Sequence, residues 1–388
     1  MLNKLQIPRA LQVVLLTLLL TLCGQARAEI LVQKTPDEGL QPRLVQAADG
    51  GIHLLYFKKR LNRPAAREGN LYYREYLIDE KRFGPAIKVS SQAFNLQTVA
   101  ISRAAMAISE DGRLHVMWYL AREAEYFYAR SNSDRSTFEP QQSMVEEFRE
   151  GIDAGGDIAA FGSQVAIVWG AGELTQEAER TMFARFSHDS GSSFGEELRV
   201  SDPALGACAC CSLAAEYLNE DTLVVAYRSA IDGIGRHMQI LTLNGVSAET
   251  PSGRYQSLQP LQQWEATFCP LSTNDIAASE KDEHWIVFET EGRIVEMNLL
   301  NPDKIALAGE PFIETRQKNP TLAFNPQGEK LIAWGEAISH SRGGRLNLRF
   351  FDAEGKVADY ELEEELHIVD FSFPAAAALP DGDFLVLH

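Results

Sequence analysis

The chain has 388 residues and is acidic, with 54 Asp and Glu against 36 Lys and Arg and a net charge of −18. A surface of this charge repels nucleic acid and anionic lipid, so the composition argues against both as partners. Hydrophobic residues make up 45% of the chain, which is enough for a large folded core.

Residues 1–28 have the pattern of a secretory signal peptide. A basic start precedes an almost wholly apolar stretch over residues 13–22, and residues 26–28 read Ala-Arg-Ala, which fits a small-x-small cleavage site. This stretch is shorter than the roughly 20 residues that a membrane-spanning helix needs, and no later segment is apolar enough to span a bilayer. We therefore expect an exported protein, periplasmic or secreted, that is cleaved after Ala28 and folds as one domain over residues 29–388.

The rest of the chain repeats one pattern seven times. Each copy has a strand of small residues, a turn, and an apolar strand that ends in an aromatic side chain. The copies follow one another at intervals of about 55 residues, which is typical of a β-propeller. They span residues 42–56, 104–118, 157–169, 213–227, 275–288, 320–334 and 374–388.

We expect an all-β fold, a β-propeller with six or seven four-stranded blades. Small residues suit the innermost strand of each blade because these strands crowd around the axis. Strand-like runs between the copies supply the outer strands, and seven copies favour seven blades. Residues 29–34 are themselves strand-like and are expected to add an outer strand to the last blade, which would close the ring.

One octet, Ser187 to Phe194, reads Ser-His-Asp-Ser-Gly-Ser-Ser-Phe and lies between two strand-like runs. Ser187 and Asp189 can hydrogen-bond the amides of a tight turn, and Gly191 can adopt a positive φ. The octet resembles the Asp box (BNR repeat) of sialidase-type β-propellers, and residues 131–138 form a degenerate second copy. The resemblance implies a sialidase-like scaffold with this turn on the outer part of a blade.

Four cysteines follow the signal peptide: Cys208, Cys210, Cys211 and Cys269. The first three precede the fourth inner strand, and Cys269 precedes the fifth. Loops that lead into neighbouring inner strands meet at the same end of a propeller axis. We therefore expect the four side chains to lie close together.

Three chemistries stay open for these cysteines. An even number of cysteines in an oxidising compartment favours two disulfides. The spacing does not match common zinc motifs, but closely placed thiolates suit copper(I), with His237 and Met238 as nearby extra ligands. The third alternative is one disulfide together with reactive thiols.

The same region carries a second resemblance. Some secreted Asp-box proteins, described as sialidase-like, share a Cys-x-Cys-Cys stretch followed by Tyr-Arg, a further Arg, a Trp and Cys-Pro. The chain departs from them at His237, where an Asp is usual, and at residues 272–275, where Gly-Pro is common. The matching positions are Cys208 to Cys211, Tyr227-Arg228, Arg236, Trp264 and Cys269-Pro270.

Three arginines are candidates for ligand binding. Sialidases bind the substrate carboxylate with three arginines, since guanidinium pairs with carboxylate through two hydrogen bonds. Arg43, within Pro-Arg-Leu, is similar to the Arg-Ile-Pro motif that carries the first of them, and Arg228 and Arg236 are its best companions. A structural ion pair is the alternative for Arg43 and Arg228.

A sialidase also needs a tyrosine nucleophile with a partner glutamate, and an aspartate as acid/base. No such tyrosine and glutamate pair can be assigned from the sequence, and Glu216-Tyr217 and Glu265 are candidates by proximity alone. The sequence thus favours an exported, sialidase-like propeller that binds a glycan or a soft metal ion beside the cysteines, with Arg43, Arg228, Arg236 and Trp264 as ligand-binding candidates. The alternatives are an exo-α-sialidase and a platform for another exported protein, and the oligomeric state stays open.

Overall fold

The structure is a computed structural model. It describes residues 28–388 except 61–67, 97–102, 248–251, 258–263, 280, 282, 300, 303, 310–315, 338–342, 359, 361 and 363, and it describes the backbone alone at residues 252–257 and 337. Most of the predicted signal peptide, residues 1–27, lies outside the described residues. Among the described residues, no helix is long and apolar enough to cross a membrane.

The described strands form seven sheets, each built from strands that are consecutive in the chain except the last. The strand β1 (Ile30–Gln33) precedes the first blade. The first three blades comprise β2 (Leu40–Gln46), β3 (Ile52–Lys59), β4 (Glu68–Leu77), β5 (Arg82–Phe83), β6 (Ile87–Lys88) and β7 (Phe94–Asn95); β8 (Ala105–Ile108), β9 (Leu114–Leu120), β10 (Glu125–Arg130) and β11 (Gln142–Ser143); and β12 (Asp157–Phe161), β13 (Gln164–Gly172), β14 (Arg180–Ser187) and β15 (Leu198–Arg199).

The remaining blades follow the same order from the inside outward. They comprise β16 (Ala214–Asn219), β17 (Thr222–Arg228), β18 (Met238–Asn244) and β19 (Ser252–Ser257); β20 (Asp275–Ala278), β21 (His284–Thr290), β22 (Arg293–Asn298) and β23 (Ile305–Leu307); β24 (Arg316–Phe324), β25 (Lys330–Ala337), β26 (Gly344–Phe351), β27 (Val357–Ala358) and β28 (His367–Ile368); and β29 (Ala375–Ala378) with β30 (Phe384–Leu387). Short 3-10 helices lie at Pro36–Glu38, Ile78–Glu80, Glu177–Glu179 and Pro203–Leu205.

The seven sheets form a closed ring, so the fold is a seven-bladed β-propeller. The innermost strand of each blade contacts the innermost strands of the two neighbouring blades, and the ring returns from β29 to β2. Each of the seven sequence repeats forms the two inner strands of one blade, as predicted. The choice between six and seven blades is thereby settled at seven.

The last blade differs from the others and joins the two ends of the ring. It has three strands, in the order β1-β30-β29, so the expectation of four strands does not hold here. As predicted, the segment after Ala28 supplies its outer strand. This strand, β1, pairs parallel to β30, with Ile30 opposite Phe384 and Gln33 opposite Leu387.

Hydrophobic clusters fill the seven interfaces between neighbouring blades. The inner strands contribute small side chains, and β29 consists of four buried alanines. The second strands contribute larger ones, including the fully buried Trp118 and Trp169. This division follows from the geometry, because the space between blades widens with distance from the axis.

The octet from Ser187 to Phe194 links β14 to β15, the two outer strands of the third blade. Asp189 Oδ1 accepts hydrogen bonds from Ser187 Oγ (2.8 Å) and from the Ser193 amide (2.9 Å). Gly191 has a φ of +73°, and the Phe194 ring packs edge-on against Tyr128, with centroids 5.1 Å apart. The turn is therefore formed as expected and lies away from the axis.

Candidate functional site

A tight turn positions the first three cysteines at the start of the fourth blade. The Cys211 amide donates to the Cys208 carbonyl (3.1 Å), which closes a β-turn, and the Cys208 amide donates to the Arg228 carbonyl (2.9 Å). The turn lies against Gly155 of the preceding loop, where a Cβ would stand 2.1 Å from the Cys211 carbonyl oxygen. A glycine at position 155 is thus needed for the turn to approach the neighbouring blade.

The four cysteines form one cluster, as predicted from the position of their loops. Cys269 Sγ lies 2.8 Å from Cys210 Sγ and 3.8 Å from Cys208 Sγ, and Cys208 Sγ lies 3.4 Å from both Cys210 Sγ and Cys211 Sγ. The four thiols are free. Three of them are buried and Cys269 is half-buried, so the cluster reaches the surface at Cys269.

A carboxylate that the sequence did not point to completes the cluster. Glu177 comes from the 3-10 helix between β13 and β14, and its Oε1 lies 3.3 Å from Cys269 Sγ and 3.9 Å from Cys210 Sγ. Its Oε2 pairs with Arg236 Nη1 at 2.6 Å. One donor atom each from Glu177, Cys208, Cys210 and Cys269 lie within 4.8 Å of one another. We call Glu177 and the four cysteines the cysteine cluster.

The thiols of the cysteine cluster differ in acidity. Hydrogen bonds from the Cys208 and Cys210 thiols lower the pKa of Cys269 to about 5. The hydrogen bond to Cys208 raises the pKa of Cys210 well above its usual range, and the same interaction raises the pKa of Cys211 to about 11. Neighbouring thiols that donate to one sulfur stabilise its charge. The low pKa favours the thiolate on the half-buried Cys269, whereas the raised pKa values favour the protonated thiols of Cys210 and Cys211.

Two of the ligand-binding candidates surround this cluster with positive charge. Arg236 is buried and bonds both Glu177 and the Gly233 carbonyl (3.1 Å). Arg228 is also buried and donates to the backbone carbonyls of Arg236 (3.1 Å) and Glu289. Both side chains therefore bond backbone carbonyls of the site and also supply positive charge to it.

Trp264, the aromatic candidate, lies beside Arg228. The Arg228 guanidinium stands 5.1 Å from the centroid of the Trp264 ring, a cation–π distance. The Trp264 carbonyl accepts from the Arg236 amide (2.8 Å), which ties its loop to the loop before β18. Trp264 is itself buried, and the neighbouring Phe268 is 42% exposed. The Trp264 ring thus packs against Arg228 in the protein interior.

Met238 and His237, the two residues predicted as extra metal ligands, do not lie among the donor atoms of the cysteine cluster. Met238 is fully buried in the core between the fourth and fifth blades. As the first residue of β18 it pairs with Arg228, and its side chain packs between the sheets. His237 Nδ1 accepts a hydrogen bond from the Trp264 amide (3.2 Å), and His237 is not part of the donor group.

A buried ion pair holds the loop that carries Cys269. Lys318 Nζ lies 3.2 Å from Glu289 Oε2, and both side chains are buried. The same ammonium group donates to the carbonyl of Pro270, the residue after Cys269. Lys318 and Glu289 belong to two different blades, so no local sequence pattern indicated this contact.

Arg43 does not join the cysteine cluster. It lies on β2, the innermost strand of the first blade, and its Nη1 bonds Asp275 Oδ1 of β20 at 2.9 Å. The other Asp275 oxygen accepts from Thr321 Oγ1 (2.8 Å) and from the Leu322 amide (3.2 Å). Arg43 thus makes the structural ion pair that was the alternative to ligand binding.

Further charged groups stand near Arg43 at the axis, and we call the whole set the axial cluster: Arg43, Arg103, Asp157, Glu216 and Asp275. Burial raises the pKa of Glu216 to about 8 against the opposing charge of Arg43. Burial likewise raises the pKa of Asp157 and lowers that of Arg103 to about 10. Burial is the largest cause of each of these shifts, and the charge of Arg43 partly offsets it for Glu216 and Asp157.

A cavity of about 1150 Å³, lined by residues of all seven inner strands, reaches Arg43, Glu216 and Asp275. Glu216 faces this cavity, whereas Tyr217 packs in the core between the third and fourth blades. Successive residues of a strand point to opposite faces, so these two do not form the Tyr/Glu pair of a sialidase. Glu265 is exposed and lies opposite Gly235 in a single β-bridge.

Comparisons with known proteins identify the fold. No protein-family model and no curated protein matches the sequence. Similar solved structures include a protein of unknown function from Dyadobacter fermentans (TM-score 0.51, 10% identity, covering 84% of this chain and 97% of that one). A Hadza microbial sialidase is similar at TM-score 0.52 and 12% identity, covering 83% of this chain and 67% of that one. An α-L-arabinofuranosidase from Fusarium graminearum is similar at TM-score 0.52 and 7% identity, covering 83% and 95%.

At these identities the likeness concerns the fold alone: the chain has a sialidase-like β-propeller fold. The Cys-x-Cys-Cys stretch is not shown to be a feature of any matched group. Function has therefore to be argued from the site.

Proposed function

We propose that this chain is an exported β-propeller that binds a soft metal ion, Cu(I), at the cysteine cluster. The observation that carries the proposal is the convergence of Cys208, Cys210, Cys269 and Glu177, whose donor atoms lie within 4.8 Å of one another. Thiolates are the ligands that Cu(I) prefers among protein side chains.

The separations between the donors support an ion among them. Metal–sulfur bonds of about 2.3 Å at tetrahedral angles place two sulfurs about 3.8 Å apart. Cys208 Sγ lies 3.4 Å from Cys210 Sγ and 3.8 Å from Cys269 Sγ. The Cys208–Cys210 separation has to lengthen slightly and the 2.8 Å contact between Cys210 and Cys269 by about 1 Å, and Cys269 is only half-buried.

Charge supports the same proposal. A metal ion bound by several thiolates leaves the site negative, and buried negative charge needs a nearby partner. Arg236 lies in the site through its pair with Glu177. The charge of Arg228 favours the thiolate form of Cys211. The two guanidinium groups are fixed by backbone carbonyls, so they are in position before the metal arrives.

Copper(I) and zinc can be distinguished through Glu177. Carboxylate is a common fourth ligand for zinc but a poor one for a soft ion. Glu177→Gln should therefore weaken zinc binding by more than the roughly 10- to 100-fold typical of residues behind a metal ligand, and weaken Cu(I) binding much less. The measurement is competition with a chromophoric chelator of each metal.

The test uses the full chain after export into a bacterial periplasm, with Cys23 replaced by serine so that only the four cluster cysteines are counted. Metal content and reactive thiols are measured on protein purified under nitrogen. Bound copper, or uptake of Cu(I) by four countable thiols, supports the proposal. Four unreactive, oxidised cysteines without bound copper or zinc would overturn it in favour of disulfides.

A second candidate is binding or hydrolysis of a carboxylated glycan, favoured by the two arginines in the axial cluster and by the folds of the sialidase and the arabinofuranosidase. A ligand carboxylate would have to displace Asp275 from Arg43. Cleavage of a fluorogenic sialoside that is lost in Arg43→Ala and in Arg103→Ala would support this function. Unchanged fluorescence with the unsubstituted protein would exclude that activity.

A further inference from the structure

Cys208 is the central sulfur of the cluster. Its Sγ lies 3.4 Å from Cys210, 3.4 Å from Cys211 and 3.8 Å from Cys269. Cys211 Sγ contacts Cys208 but falls outside the group of four donors that contains Glu177. The donors therefore form two sets that share one atom, Cys208 Sγ.

We propose that the cysteine cluster holds two Cu(I) ions bridged by the Cys208 thiolate. The outer ion is bound by Cys208, Cys210 and Cys269, and the inner ion by Cys208 and Cys211. This inference rests on the proposed function, because both ions require soft-metal binding. A thiolate sulfur has several lone pairs and can bridge two ions, and Cu(I) is stable with two or three sulfur ligands.

The step balances without a change of oxidation state. The cysteines release to solvent the thiol protons that they still carry as two Cu(I) ions bind, and five copper–sulfur bonds form because Cys208 bonds both ions. Four thiolates and two univalent cations carry two negative charges, and Glu177 adds a third. Three guanidinium groups offset this charge: Arg236 Nη1 pairs with Glu177 at 2.6 Å, Arg180 Nη1 lies 4.0 Å from Glu177, and the charge of Arg228 acts on Cys211.

The burial of Cys208 and Cys211 explains why the charge balance determines how many copper ions bind. Cys208 and Cys211 are 1% and 0% exposed, so an uncompensated thiolate there would be costly. With a single ion bound by Cys208, Cys210 and Cys269, a Cys211 thiolate would have no metal ion beside it. With a second ion, the buried Cys211 thiolate has a metal ion as its partner.

The experiment is an anaerobic titration of the reduced chain, in the Cys23→Ser background, with Cu(I) against a chromophoric chelator. We expect two ions per chain in the parent protein and one in Cys211→Ser. The matched control is Ser212→Ala, the adjacent position, which should still bind two. X-ray absorption of the fully loaded parent protein should show copper–copper scattering that is absent from Cys211→Ser.

The outcomes separate this inference from the proposed function. One ion per chain in the parent protein, unchanged in Cys211→Ser, would overturn the bridged pair and leave the single soft-metal site standing. No Cu(I) uptake by fully reduced protein would overturn both. If Cys211→Ser fails to fold by circular dichroism, the copper–copper scattering of the parent protein decides the question without it.

Discussion

The cysteine cluster and the axial cluster are two polar sites in one scaffold, and they are built in opposite ways. The cysteine cluster comes from loops and a 3-10 helix, and most of its members are neutral thiols that reach the surface at Cys269. The axial cluster comes mainly from the inner strands, and its charged groups pair with one another, as Arg43 does with Asp275. Strands fix side chains in a repeating pattern, so polar residues on them must find partners inside the ring. Loops can bring together donor atoms that remain available to bind a ligand.

The largest effect that would support this contrast is expected from Cys208→Ser. The serine oxygen is a hard, neutral donor, and it replaces the sulfur that contacts all three other thiols. We expect Cu(I) affinity to fall by about a thousandfold, more than the 10- to 100-fold typical of residues behind a metal ligand. Chelator competition measures the change, and Asp275→Asn should bind as tightly as the parent protein. Equal losses in the two variants would contradict the separation of the sites.

The axial cluster should respond in stability instead. In Asp275→Asn the Arg43 guanidinium loses its anionic partner in a poorly solvated place, which should cost about 3 kcal/mol of unfolding free energy. Urea unfolding measures this loss, and the double variant Arg43→Met with Asp275→Asn should recover part of it because both charges of this ion pair are then removed. A single variant as stable as the parent would mean that solvent reaches the axial cluster freely.

A smaller effect concerns the pH dependence of stability. Burial raises the pKa of Glu216 from 4.5 to about 8 in the folded protein. The folded state therefore holds the proton more tightly than the unfolded state, and stability falls as the pH rises between these two values. Glu216→Gln should flatten this part of the profile by an amount on the order of 2 kcal/mol. Urea unfolding from pH 5 to pH 8.5 measures it, and an unchanged slope would show that Glu216 is solvated.

The seven-bladed ring could be predicted from the sequence because its signals are local. The repeat places each inner hairpin, and the strand-like runs between the copies form outer strands such as β10 (Glu125–Arg130). The closing strand after Ala28 was predicted from its own strand-like residues, because such a local pattern reflects the environment of the strand. Its parallel pairing with β30 was not, because no local pattern specifies the partner.

The candidate sites were predictable only where the repeat itself brings residues together. Cys208 and Cys269 occupy equivalent loops of neighbouring blades, so their contact follows from the fold. Glu177 reaches them from the 3-10 helix between β13 and β14 of the third blade, where nothing in the surrounding sequence indicates a ligand. Asp275 is 232 positions from Arg43 along the chain and meets it only across the closed ring. Met238 failed as a ligand because proximity in sequence does not tell which face of a strand a side chain takes.

The smallest effect tests whether the scaffold can be weakened without touching either cluster. Asp189 accepts hydrogen bonds from Ser187 Oγ (2.8 Å), the Ser193 amide (2.9 Å) and Ser193 Oγ (2.7 Å). Because this turn is largely exposed, water replaces much of what is lost, and Asp189→Ala should cost about 1 kcal/mol of unfolding free energy. Asp134→Ala is the matched control in the degenerate octet, where the carboxylate bonds only Ser136, and it should cost less. Cu(I) affinity should be unchanged in both variants, since the turn joins the outer strands of a blade while the cysteines lie where the chain enters the inner ones. A weaker affinity in Asp189→Ala would mean that the turn and the cysteine cluster are coupled through the third blade.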